Sequence, residues 1–373
     1  MAVIAINALN SNSGGGKSIR DSYLQLLNKS ILHHKYIVIV STRSGLGFIT
    51  NPQIEVLNLP RFWSYTLLAP LVYRFALGQV LRHVCADLVF NIGDLIISTS
   101  VKQLYIFDWP YALNVHPKVW TDMYMLDRLN RSLKLWLIKR YFHIPDIVIA
   151  QTESIQYFLM ERYDLNDVRV INNAVTINNN FSNNKLESLL PSGLRLLYPT
   201  VYYPHKNLEI LLDLASLIKS EALDLRIIIT INPISESSRR FLLSIIDHGL
   251  QDIIFNIGQV PLDQMADLYK QCNALLMPTL LESFSIVYLE AMHYGLPVLT
   301  SDMWFSRAVC GSAAEYFDPF EAADILRALK NVMFHAERNS ELVNAGLSRV
   351  SSFPTWQENF ATYQQYIDEL LAP

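Results

Sequence analysis

Several classes of protein are excluded by what this sequence has little of. Its cysteines are three, Cys85, Cys272 and Cys310, odd in number and far apart. That rules out a disulfide framework and fits a reducing compartment. No Asp-x-Asp, His-Glu-x-x-His or Cys-x-x-Cys occurs, so no metal-site signature is present and a metal-bridged diphosphate is not expected. A basic excess is also missing. The net charge is -4, which argues against a general nucleic-acid binder. No long apolar run exists either. The longest uncharged run of the greasiest stretch, Phe62 to Tyr73, is too short for a bilayer and contains Pro70. The first residues, Met-Ala-Val-Ile-Ala-Ile-Asn, carry no basic lead or cleavage pattern and read as a strand. The expectation is a cytoplasmic protein.

What the chain does have is apolar mass: 51% hydrophobic residues against 17% charged. Over 373 residues this predicts a packed globule of two domains. Residues 1–180 hold 17 Lys+Arg and 12 Asp+Glu, and residues 181–373 hold 13 and 22. A mildly basic half and an acidic half suit different partners, or two ordinary solvated surfaces.

Short apolar runs alternate with longer amphipathic segments. Val3–Asn7, Tyr36–Ser41, Leu88–Asn91, Leu104–Phe107 and Ile147–Ala150 are predicted parallel strands, with helices at Lys17–Lys29 and Thr121–Tyr141. After Val168–Ile171 comes a polar stretch, Asn172–Lys185, with seven Asn and no Gly, which reads as a linker. The pattern then restarts. Strands are predicted at Leu194–Tyr198, Leu225–Ile231, Ile253–Asn256, Ala274–Met277, Val298–Thr300 and Glu315–Phe317. Helices at Leu208–Lys219, Asp263–Gln271 and Ile286–Tyr294 lie between them. Two runs of βαβ units imply two doubly wound α/β domains, 1–172 rejoined by a last helix in 355–373, and 190–354. Ligands on such sheets sit at the carboxyl ends of strands, against helix N-termini.

The most informative segment runs from Met277 to Thr300. A strand ends at Pro278, a loop carries Glu282, Ser283 and Phe284, and a helix starts near Ser285 as its cap and ends at Gly295. Free backbone N–H groups of Phe284, Ser285 and Ile286 make an anion site that suits a diphosphate. Glu290, in the second turn, can accept two ribose hydroxyls. Alone, Glu290 would read as an ordinary helix carboxylate and Glu282 as a loop carboxylate. Lys206, in Tyr198-Pro-Thr-Val-Tyr-Tyr-Pro-His-Lys-Asn-Leu-Glu209, is expected at a helix start with Asn207 as cap, where a cation needs an anion beside it. Ser11-Asn-Ser-Gly-Gly-Gly-Lys-Ser18 lacks the first glycine of a P-loop, yet its glycines allow close backbone approach. Asp108 stands at the end of a strand, either to orient or deprotonate a hydroxyl or to cap the next turn; His116 is a weaker candidate for the same work.

Glu282 and Glu290 together resemble the Glu-x7-Glu signature of retaining GT-B glycosyltransferases of family 4, the glycosyl transferases group 1. The resemblance extends through Asn256-Ile-Gly-Gln-Val260, Leu268 to Ala274, Ser301-Asp302 and Val309 to Pro319. It implies a GT-B fold, two Rossmann-like doubly wound domains facing across a cleft. It further implies donor binding by Glu290, Val260, Ser283, Phe284, Ser285, Ile286, His205 and Lys206, with Glu282 beside the transferred sugar. Gly15 and Gly16 resemble the glycine-rich loop that faces the donor phosphates. The resemblance sets Asp108 beside the acceptor, so Asp108, Glu282 and Lys206 are the expected catalytic residues. Related enzymes carry an Arg where this chain has Val201, and often Gly at 283 and 285. Asn172-Asn-Ala-Val175 is similar to the family's Asn-Gly-Val element and marks a domain boundary.

The resulting expectation is a metal-independent hexosyltransferase without a cofactor, acting in surface polysaccharide synthesis. It would take a UDP- or GDP-sugar and pass the sugar, with retention, to a glycan or lipid-linked acceptor. Phe62, Trp63, Leu67 and Tyr73 with Arg61, Arg74 and Arg82 form one apolar and basic cluster. Trp136 with Arg128, Arg131, Lys134, Lys139 and Arg140 forms a second. They suit either a peripheral site on the inner membrane face or core helices with snorkelling arginines. A nucleotide-sugar epimerase and a non-catalytic nucleotide-sugar binder are the rival readings.

Overall fold

The computed structural model describes residues 1–11, 14–41, 46–65, 67–113, 115–121, 123–175 and 187–372. The chain divides into two compact units. The first holds Met1–Val115, Met123–Ala174 and Pro354–Pro373; the second holds His116–Asp122 and Val175–Phe353. Residues 116–122 therefore go with the second unit, although the sequence places them well inside the first.

The first unit is built on β1 (Val3–Asn7), α1 (Gly14–Lys29), β2 (Lys35–Ser41) and β3 (Ile54–Leu59). α2 (Ala69–Leu71) runs through a π turn at Val72–Ala76 into α3 (Leu77–His83), followed by β4 (Leu88–Asn91) and β5 (Lys102–Ile106). α4 (Pro117–Thr121) belongs to the second unit. α5 (Met125–Tyr141), β6 (Ile147–Ala150), α6 (Glu153–Tyr163) and β7 (Val168–Val170) complete this part of the first unit. The strands form one parallel sheet in the order β3-β2-β1-β4-β5-β6-β7. β1, β4 and β6 are buried along nearly their whole length, as strands covered on both faces must be. β3 was not foreseen. Only its end residues Ile54 and Leu59 are buried, as suits an edge strand, and the exposed Glu55 and Asn58 interrupt the apolar run.

The second unit holds β8 (Leu194–Tyr198), α7 (Ile210–Ser220), β9 (Leu225–Ile229), α8 (Glu236–Asp247), β10 (Ile254–Asn256), α9 (Met265–Lys270) and β11 (Ala274–Met277). α10 (Ile286–His293), β12 (Val298–Ser301), α11 (Trp304–Cys310), β13 (Ala314–Phe317), α12 (Ala322–Met333) and α13 (Ala336–Ser351) follow. α14 (Trp356–Leu371) returns to the first unit, where Tyr363 and Ile367 enter the core. The second sheet is also parallel, in the order β10-β9-β8-β11-β12-β13. Each sheet reverses winding direction once, between β1 and β4 and between β8 and β11. A crevice opens at the carboxyl ends of strands at such a switch point.

Among the described residues no helix is long and apolar enough to cross a membrane. The expected linker Asn172–Lys185 lies outside the described residues from 176 onward, and so do Asn12 and Ser13 of the glycine-rich segment.

Candidate functional site

The switch point of the second unit gathers most of the predicted residues. Beyond β8, Thr200 is pinned by its N–H to Thr230 Oγ1 at 2.9 Å, and the chain turns through a 3-10 segment at Pro204–Lys206. Beyond β11, Thr279 Oγ1 and the Leu280 N–H both donate to the His205 carbonyl, at 3.1 and 2.7 Å. The two loops are thereby tied together, and Lys206 Nζ donates to Glu282 Oε1 at 2.6 Å with both side chains largely buried. The buried Tyr198 hydroxyl donates to the Lys206 carbonyl at 2.8 Å and fixes that turn from below.

Two expectations change here. Lys206 is not at a helix start, because α7 begins only at Ile210. The anion beside it in this structure is Glu282, folded in from 76 positions away. Asn207 does not cap a helix. It takes a left-handed φ of 53° and its buried amide donates to the carbonyls of Pro278 at 3.1 Å and Pro319 at 2.8 Å. It clamps three loops at the site instead.

Glu282 leads into the N-terminus of α10. Phe284 is buried edge-on against Phe353, so only its backbone can face a ligand. Ser285 occupies the N-cap position at φ 60° and ψ 90°, and its side chain makes no capping hydrogen bond, contrary to expectation. A left-handed backbone at a residue with a Cβ is strained, and glycine would fit it without cost. The first N–H groups of α10 have no partner within the helix and point outward with the positive end of its dipole. Ser283 sits half-buried in the approach loop. Val260 packs half-buried on the core beyond β10, and His205 stacks 5.5 Å from the Tyr203 ring.

One turn into α10 stands Glu290. The Tyr269 hydroxyl of α9 donates to its Oε2 at 2.8 Å, and Tyr269 stacks on Tyr294 at 5.5 Å. Burial pushes the Glu290 carboxyl from 4.5 up to about 7, with the hydrogen bond from Tyr269 opposing it. Part of the residue's surface still meets solvent while its carboxyl lies under protein. A strongly perturbed carboxyl beside an open surface marks a candidate ligand site, and its ionised form is the stronger acceptor of hydroxyl hydrogen bonds. Tyr269 was missed in the sequence; only its place in Leu268-Tyr-Lys-Gln-Cys signalled it.

In the first unit, Gly15 and Gly16 lie within the first turn of α1, not in a loop before it. A Cβ on Gly15 would stand 3.8 Å, and one on Gly16 3.9 Å, from Asp108 Oδ2. The neighbour of these glycines is thus a carboxylate of the same unit. Asp108 Oδ1 accepts from Gln151 Nε2 at 3.0 Å. His116 does not share this site: it falls in the second unit, its ring 4.4 Å from Phe320. Of the second basic cluster, Lys134 turns inward to pair with Asp94 at 2.6 Å, and Arg131 lies over Tyr111 at 4.3 Å. Among the described residues no group of three His, Cys, Asp or Glu is placed to hold a metal ion.

Comparison with known proteins bears on this arrangement. Residues 188–349 match the family described as glycosyl transferases group 1. A D-inositol 3-phosphate glycosyltransferase of Paenarthrobacter aurescens is 24% identical over 196 residues, which are 50% of this chain and 48% of the relative. The serotype-specific mannosyltransferase WbdA of Escherichia coli is 26% identical over 226 residues, 57% of this chain and 27% of the relative. The chain thus spans half or less of the length of these relatives. The crystal structure of Anabaena HepE in complex with UDP and glucose superposes with a TM-score of 0.71 at 15% identity. It covers 99% of this chain and 100% of that one. The fold is GT-B, two Rossmann-like domains in one chain.

Proposed function

We propose, on the premise that residues 188–349 are a glycosyl transferases group 1 domain within a GT-B fold, that this protein transfers a hexose-type sugar. The donor is a UDP- or GDP-sugar and the acceptor a growing glycan or lipid-linked glycan of a surface polysaccharide. One observation carries the reading: at the switch point of the second unit, Lys206 and Glu282 meet at the N-terminus of α10, with Glu290 one turn further on. Lys206 and the first N–H groups of α10 receive the diphosphate. Glu290 accepts ribose hydroxyls and Glu282 lies beside the sugar. Negative charge on the diphosphate rises as it departs, so a fixed cation and a helix dipole favour the transition state over the ground state. They do so without a metal ion, and no cofactor takes part. Asp108 receives the acceptor hydroxyl's proton, and the sugar keeps its anomeric configuration, as the family resemblance implies. The mannosyltransferase name of the Escherichia coli relative and the UDP in the Anabaena structure support a nucleotide-sugar donor.

The protein works at the inner membrane face. On α5, Leu126, Leu129, Leu133 and Trp136 are exposed at helical spacing, while Ile138 is buried on the other side of the helix. Phe62, Leu67, Leu71 and Phe75 are exposed on and around α2. Arg74 lies 4.9 Å over the Phe75 ring and 5.4 Å over that of Tyr141, the last residue of α5. Apolar side chains ringed by arginine and lysine suit an anionic lipid surface.

A thermal-shift panel of UDP-, GDP-, dTDP- and ADP-sugars, followed by transfer from the best donor, tests the reading. No shift with any sugar nucleotide refutes it. Conversion of the donor without an acceptor would point to an epimerase instead.

A further inference from the structure

Gln151 is 1% exposed, and nothing in its sequence context singles it out. Among the described residues its buried Oε1 has no hydrogen-bond partner, while its Nε2 donates to Asp108 Oδ1 at 3.0 Å. Exchanging the two amide atoms would set an oxygen against the carboxylate, so this orientation is the better one. The residue is held by a second amide. Asn172 Nδ2 donates to the Gln151 carbonyl at 2.8 Å, and the Asn172 carbonyl accepts from Asn359 Nδ2 of α14 at 2.9 Å. Asn359 is itself buried. Three amides thus form a chain from the last helix of the first unit to the carboxylate that faces the first turn of α1. Burying an amide oxygen unpaired opposes folding. A leucine would fill the same space without that cost, so the amide is present for what its N–H does.

We propose that Gln151, fixed by Asn172 and Asn359, is a positioning residue that holds the Asp108 carboxylate over the first turn of α1, in the orientation that receives the acceptor hydroxyl. The inference rests on the role given to Asp108 above. The Asn172 segment, which the sequence marked only as a boundary, is then part of the support of a reactive group. The Gln151 amide holds one carboxylate oxygen, and the other lies toward Gly15 and Gly16.

The test uses the full chain with Gln151→Leu, Gln151→Glu and Asp108→Asn. UDP-glucose and GDP-mannose serve as donors, with octyl glucoside and octyl mannoside as acceptors. Gln151→Leu is expected to fold with unchanged or higher Tm and to lose about tenfold or more in kcat at unchanged donor KM. Gln151→Glu keeps the shape but donates only when protonated. Its transfer is expected to be lost at neutral pH and to return as pH falls, which a purely structural role would not produce. Among the described residues, the ionisable groups that feel Asp108 include Tyr105 on β5, Lys134 on α5 and Tyr363 on α14. Burial holds both tyrosines neutral, and all three are common to the variants. Normal kcat in folded Gln151→Leu, with Asp108→Asn inactive, overturns the positioning role and leaves Asp108 standing. Normal transfer in Asp108→Asn overturns both. A crystal structure of Gln151→Leu gives a reading that needs no activity: the Asp108 carboxylate is expected to leave the first turn of α1, and finding it in place refutes the proposal.

Discussion

Replacing Glu290 by Gln should stabilise the protein and weaken the donor site at once. Burial pushes the carboxyl from 4.5 up to about 7. The unfolded chain releases that proton near the ordinary value, so between the two values the folded state holds a proton the unfolded state has lost. Stability from this group is therefore full at low pH and declines as pH rises to about 7. The span of roughly 2.5 units corresponds to about 3 kcal/mol at pH 8, and to less than about 1 kcal/mol at pH 5. A glutamine is neutral at every pH and avoids that cost, while its oxygen still accepts from Tyr269. Urea denaturation at both pH values should show Glu290→Gln more stable than the native protein by up to about 3 kcal/mol at pH 8, with most of the gain gone at pH 5. Calorimetry at pH 8 should show donor affinity reduced by roughly 1–3 kcal/mol, because a carboxylate accepts the ribose hydroxyls more strongly than an amide. Native donor affinity should also fall as the pH drops below about 7. An equal stability change at both pH values would refute the reasoning, since it would show that the carboxyl carries no burial cost.

Other perturbations follow from the same geometry. Lys206→Ala leaves the largely buried Glu282 without its cation and should cost about 1–3 kcal/mol of stability besides lowering kcat and raising donor KM. In Lys206→Ala with Glu282→Gln, the urea midpoint should recover while transfer does not. Ser285→Gly relieves the left-handed backbone and should add about 1 kcal/mol, read as a higher Tm. EDTA should leave transfer intact, and complete loss restored by Mg²⁺ or Mn²⁺ would overturn the metal-free mechanism. Leu129→Asp with Trp136→Asp should abolish co-sedimentation with phosphatidylglycerol vesicles while leaving UDP-glucose or GDP-mannose binding unchanged; full retention of vesicle binding would sink the membrane assignment.

The doubly wound architecture was readable because buried parallel strands leave uninterrupted apolar runs, such as Ile147–Ala150 and Ala274–Met277. The strand that escaped notice, Ile54–Leu59, lies at an edge, where one side needs no apolar residues. The candidate site was readable to the extent that its residues are close in sequence. The spacing of Glu282 and Glu290 follows from one loop and one helix. The partners of those residues do not: Tyr269 reaches Glu290 from another helix, and Gln151 reaches Asp108 from another strand. Helix starts were misjudged at two places. Asn207 looks like a cap but commits its amide to two distant carbonyls, and Gly14 to Gly16 look like a loop but begin a helix.

The pairing of Lys206 with Glu282 carries a consequence for how the donor binds. Without donor, each side chain neutralises the other at 2.6 Å in a largely buried place. A diphosphate competes with Glu282 for the ammonium. If it wins, the carboxylate loses its partner in a place with little water, which is costly unless a new donor of hydrogen bonds arrives. In the proposed donor site, hydroxyls of the transferred sugar would be those donors. Binding of the diphosphate and binding of the sugar are then coupled through one ion pair. A complete nucleotide sugar should therefore bind more tightly than the nucleoside diphosphate alone, by about 1–2 kcal/mol. In Glu282→Gln that difference should shrink, because the amide neither holds Lys206 as an ion nor suffers when it leaves. Calorimetric titration of UDP against UDP-glucose, and of GDP against GDP-mannose, on both proteins measures it. An unchanged difference in Glu282→Gln would mean that the sugar is recognised elsewhere, and that the ion pair only stabilises the two loops.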